Sequence, residues 1–150
     1  MTDLTKRMPS TKIFFAVLVF ITLVVIAFML FPDLMSGLGS RILVLWGLFA
    51  VSGLALVISV YKAGITGKAK FFLLLPGFAA LAFVLGVVLH NAFYALAILA
   101  EDLAALRWVL NILGGGFFLI AVMICPIAII IGIVQTILNW KDIKASKNKA

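Results

Sequence analysis

Charge is what this chain has least of: five acidic residues and one histidine among 150 positions, set against twelve lysines and arginines. None of the acids lies inside a long apolar run, which excludes a buried aspartate pair of the intramembrane-protease kind. The basic residues keep to the margins of those runs, so no voltage-sensing helix is indicated. A single cysteine, Cys125, rules out an intrachain disulfide. One histidine and one distant cysteine cannot complete a metal or haem site within one chain, and neither metal nor cofactor is expected. The spaced signatures of common active sites are missing as well: no His-Glu-x-x-His, no Gly-x-Ser-x-Gly elbow, no phosphate loop ending in lysine. Together these absences point away from an enzyme.

What the chain has in quantity is apolar length, with 66% hydrophobic residues. Residues 13–31, 41–61, 71–99 and 104–139 are nearly unbroken apolar runs. Each is long enough to cross a hydrocarbon layer of about 30 Å at 1.5 Å per helical residue. The expected fold is an all-α integral membrane protein, a four-helix transmembrane bundle in one four-span domain. Short connectors leave no length for a soluble domain. The first run is too long for a signal-peptide core and meets Phe31-Pro32-Asp33 instead of small residues, so it reads as a retained anchor.

The gaps between runs alternate in charge. Lys6, Arg7 and Lys12 precede the first, Lys62, Lys68 and Lys70 separate the second from the third, and Lys141, Lys144, Lys147 and Lys149 follow the fourth. Ten of the twelve basic residues thus fall on one side, whereas the other gaps hold Asp33, Glu101 and Asp102. The positive-inside rule then places both termini in the cytoplasm of a cell-membrane protein. The net charge of +7 records this topology, and no nucleic-acid partner follows from it. The basic tail instead suits anionic lipid headgroups, at roughly 1 kcal/mol per residue.

The third and fourth helices are longer than a bilayer requires, reaching about 45 and 54 Å if straight. Two long tilted helices joined at Glu101-Asp102 are favoured over a separate interfacial helix at Asp102–Leu113 that breaks at Gly114-Gly115-Gly116. Pro32 is expected to stop the first helix, Ser40 to cap the second, and Pro126 to kink the fourth near Val122. On the second helix Ser52, Ala55 and Ser59 form a stripe of small residues.

Spacings of four and three put Arg107, Asn111, Gly114, Phe118, Ala121, Cys125, Ala128, Gly132, Gln135 and Asn139 on one seam of the fourth helix. A second stripe on the third helix runs through Ala82, Gly86, His90 and Tyr94. Facing each other, the two would bring small residues together for close backbone approach, with Ala82, Gly86, Gly114, Ala121, Ala128 and Gly132 as packing positions.

The polar residues with room for a functional role are His90, Asn91, Tyr94, Glu101, Asp102, Arg107, Asn111 and Gln135. His90 is expected to bond between helices, its alternative being a proton-responsive or ligand-contacting group. Glu101 and Asp102 point about 100° apart on a helix and are expected to solvate the turn, cap the next helix and face Arg107. The function expected from this inventory is that of an accessory, scaffold or assembly subunit. It would pack against a protein partner or further copies of itself among membrane lipids. The alternative is an oligomeric channel or small-solute transporter with a path near His90, Asn111 and Gln135. An enzyme acting on lipid or quinone at the outer interface is the third class.

Overall fold

The computed structural model describes residues 4–31 and 41–139, with side chains described from Ser10 onward except those of Met29 and Arg41. Residues 32–40, on which the expected stop at Pro32 and cap at Ser40 fall, and the basic residues after Asn139 lie outside the described residues. Five α-helices account for most of the rest: α1 (Leu4–Leu30), α2 (Arg41–Lys62), α3 (Gly67–Leu99), α4 (Ala104–Leu119) and α5 (Cys125–Leu138). A π-helical segment, Ile120–Ile124, joins α4 to α5 so that Ala104–Leu138 is one continuous rod. Among the described residues there is no strand, and four helical stretches are long and apolar enough to cross a membrane.

The helices start earlier than hydropathy alone implies. α1 begins at Leu4 and α3 at Gly67, each taking in basic residues before its apolar run. Lys68 and Lys70 extend the third helix at no cost, since a lysine stem packs along a helix while its ammonium reaches polar surroundings. Lys70 does this over the Tyr61 ring, with Nζ 4.3 Å from the centroid. The turn between α2 and α3 needs left-handed backbone at Gly64 (φ 65°) and Gly67 (φ 67°), a region that glycine enters without a Cβ clash.

Packing runs in chain order. α1 lies on α2, α2 on α3, and α3 on both α4 and α5, which makes α3 the central helix. At the α2–α3 crossing, a Cβ on Gly53 would lie 2.8 Å from the carbonyl oxygen of Gly77, so two backbones touch where side chains would hold them apart. Further along the pair, Phe83 stacks on Trp46 at 5.0 Å and meets Phe49 edge-on at 5.7 Å. Leu18, Leu56, Val60, Leu73 and Ala80 are fully buried around these contacts. Ser52 and Ser59 are buried as well, yet their hydroxyls donate to Phe49 and Leu56 of their own helix, both at 2.8 Å. Gly53, between them in sequence, is where the crossing is made.

The same register levels the first residue of α2 with about His90 of α3. The α3–α4 hairpin therefore stands above α2 by about ten residues, or ~15 Å at 1.5 Å each. Gly114, Gly115 and Gly116 are helical, so no separate helix breaks off at that point. Burial against α3 holds Gly114 there, offsetting the low helix propensity of glycine. Around Val122, where the sequence leads one to expect a kink, the backbone makes π turns: the Cys125 amide bonds Ile120 five residues back. Pro126 explains the change, because it has no amide to give the Val122 carbonyl and its ring crowds that turn.

Candidate functional site

The contact between α3 and the α4–α5 rod is the most fully specified part of the molecule. Pro76 lies inside α3, where its missing amide leaves the carbonyl of Phe72 without an intrahelical donor. The hydroxyl of Thr136 on α5 supplies one at 3.1 Å. One turn away Gly132 lies against the Pro76 ring, and a Cβ there would be 3.0 Å from the proline nitrogen. Further along, a Cβ on Gly86 would lie 3.0 Å from that of Ala121 and 3.2 Å from the Phe117 carbonyl. Near the far end His90 Nδ1 is 3.0 Å from the carbonyl oxygen of Gly114. A carbonyl only accepts, so Nδ1 carries the proton in this bond. Phe118 lies 5.0 Å from the imidazole, and Phe93 stacks on Phe117 at 5.6 Å.

Two expected packing positions fall away from the centre of this contact. Ala82 is exposed, and the α3 face runs instead through Pro76, Ala79, Phe83, Gly86, His90 and Phe93. Ala128 and Gln135 are half-buried, whereas Ile129 and Thr136, one position on, are buried. The buried face of α5 thus runs through Cys125, Ile129, Gly132 and Thr136, spacings of four, three and four that follow the helical turn of about 3.6 residues and drift off an exact seven-residue repeat. Gly114, Ala121, Cys125 and Gly132 are buried on the seam, and Phe118 is exposed at its side.

The polar candidates divide by partner. Asn91 donates to Val87 of its own helix at 2.8 Å, and Asn139 to Gln135 at 2.8 Å, so these amides close back on α3 and α5. The expected capping of α4 by an acid is not made. Leu103 occupies the N-cap without a side-chain bond, and Glu101 and Asp102 are exposed in the turn before it. A local turn, with Leu103 N bonding Ala100 O at 3.1 Å, leaves the acids outside the helix.

Tyr94, Glu101, Arg107 and Asn111 nonetheless share one space. Together with Ala97 and Ile98 they line a recess of about 200 Å³ between α3 and α4 at the hairpin tip. Ala97, only 4% exposed, is its floor. No ion pair links Arg107 to Glu101 or Asp102 among the described residues. A second, apolar cleft of about 310 Å³ opens between α1 and the π segment, lined in part by Val25, Phe28, Trp46, Phe83 and Val122. Among the described residues no three of His, Cys, Asp and Glu come together as a metal site.

Thr136, Pro76, Gly53 and Gly77 are absent from the sequence-based candidates. Pro76 was the available signal, since a proline within a transmembrane helix calls for a donor from a neighbour.

Four packed apolar helices and a short polar inventory define a small multi-pass membrane protein. No protein-family model, no curated protein and no solved structure matches the chain.

Proposed function

We propose that this protein is a non-enzymatic subunit of a membrane assembly, with both termini cytoplasmic, whose α3–α4 hairpin docks a protein partner or a second copy of the chain. The observation that supports it is the height of the hairpin over α2 combined with its apolar outer surface. Leu99, Leu103, Leu106 and Trp108 are 82, 59, 47 and 67% exposed around the tip. α2 is 22 residues long, close to the thickness of the hydrocarbon layer, so helices of 33 and 35 residues packed on it have the length to reach the outer headgroups. Among the described residues this collar is left exposed, and uncovered apolar patches of this kind mark interaction sites. The Gly–Pro and Gly–Ala crossings beneath hold α3 close against the α4–α5 rod.

The oligomeric channel has less support. Between the tip recess and Gln135, the α3 contact is filled by Phe83, Gly86, Ala121 and Ile129, and His90 is already bonded. A path would have to form between copies.

A photo-crosslinking residue placed at Leu99 or Trp108 in native membranes tests the proposal. It should give one discrete protein adduct, either a heteromer or a dimer of this chain, which Leu106→Lys abolishes. The same probe at Val51, exposed on α2, should give none. Lipid adducts alone at every position would sink the docking role.

A further inference from the structure

We propose that the tip recess binds a zwitterionic ammonium–phosphate group of the phosphoethanolamine type. Tyr94, Ala97, Ile98 and Glu101 project from one face of α3 and its following turn, while Arg107 and Asn111 are one turn apart on α4. One carboxylate and one guanidinium therefore border a single space, and neither is used up by an ion pair among the described residues. Net charge across the recess is zero, which disfavours a lone anion beside Glu101 and a lone cation beside Arg107. A ligand with both charges on a short bridge satisfies both. The planar guanidinium fork matches two phosphate oxygens, and the Glu101 carboxylate accepts from the ammonium protons. Asn111 and Tyr94 add neutral donors beside them.

Size and surroundings narrow the class. At roughly 30 Å³ for each water-sized group, about 200 Å³ holds six or seven such groups, in the range of a phosphoethanolamine headgroup. The small side chain of Ala97 makes the room. Ile98 provides an apolar wall, and Leu99, Leu103 and Trp108 are exposed on the same hairpin tip, a surface suited to the interface where headgroup meets acyl chain. The ligand is either held on a diacyl lipid or is the free headgroup; the recognition chemistry is common to both.

Native mass spectrometry of the full chain in detergent, titrated with phosphatidylethanolamine or phosphatidylglycerol, tests the site. The wild type should retain phosphatidylethanolamine at least about tenfold more tightly than phosphatidylglycerol. Glu101→Gln should erase that preference, and Arg107→Gln should weaken both lipids by about tenfold. Asp102→Asn, in the same turn but outside the recess, should change neither. Soluble phosphoethanolamine that displaces the lipid would identify the headgroup as the ligand by itself. Failure to displace, with lipid selectivity intact, would identify the membrane-borne form. Equal retention of the two lipids by the wild type, or a preference that survives both recess substitutions, overturns the proposal. Thermal unfolding of each variant alongside separates loss of the site from loss of the fold.

Discussion

Thr136 stands in for an amide that Pro76 lacks. Its hydroxyl donates at 3.1 Å to the Phe72 carbonyl, the group that residue 76 would bond in an uninterrupted helix. A helix–helix contact is thereby placed where one helix is locally deficient. Thr136→Val, close in shape but without the donor, should destabilise the protein by about 1 kcal/mol in detergent unfolding. In a Pro76→Ala background the restored amide satisfies Phe72, so the same substitution should cost less than half as much. Equal costs in the two backgrounds would show that the hydroxyl and the proline are not coupled.

The glycines should separate into two groups by neighbour. Gly132→Ala meets the Pro76 ring and Gly53→Ala meets the Gly77 carbonyl, so each should lose about 1 to 3 kcal/mol by overpacking. Gly115 and Gly116 face open space, and alanine at either should leave stability unchanged or raise it by up to about 1 kcal/mol. Thermal unfolding of the four single variants orders them. Losses at Gly115 and Gly116 equal to those at Gly132 would argue that the outer face of the rod is covered in the folded protein.

His90 bonds through Nδ1, and the atom in that position on a shorter side chain is the amide nitrogen of asparagine. His90→Asn should therefore keep the Gly114 bond and most of the stability. His90→Leu should lose about 1 kcal/mol. His90→Gln, whose amide sits one bond further out, should fall between them. If Asn and Leu variants unfold at the same temperature, the bond contributes nothing measurable.

With Cys125→Ala as background, a cysteine at Asp102 should react with an impermeant thiol reagent outside intact cells, and one at Lys68 should be protected. Both residues are exposed on short turns or helix ends, so accessibility depends on the side of the membrane. The reverse labelling pattern would invert the proposed topology.

Much of this architecture was legible in the residue order. Runs of Leu, Ile, Val and Phe bounded by lysine give four membrane-length helices because backbone groups in lipid must bond within their own helix. Gly86, Gly114, Ala121 and Gly132 could also be placed on facing seams, because three-and-four spacing sets a helical face. Tertiary structure decided what depends on departures from that ideal spacing. The buried face of α5 runs through Ile129 and Thr136 instead of Ala128 and Gln135, and the Phe72 carbonyl that Pro76 leaves open took a donor 64 positions away in the chain. The recess joining Glu101 to Arg107 and Asn111 has the same origin. A periodicity fixes which residues share a face, but the partner of that face, and the register at which they meet, are set by close packing of two surfaces that no local pattern encodes.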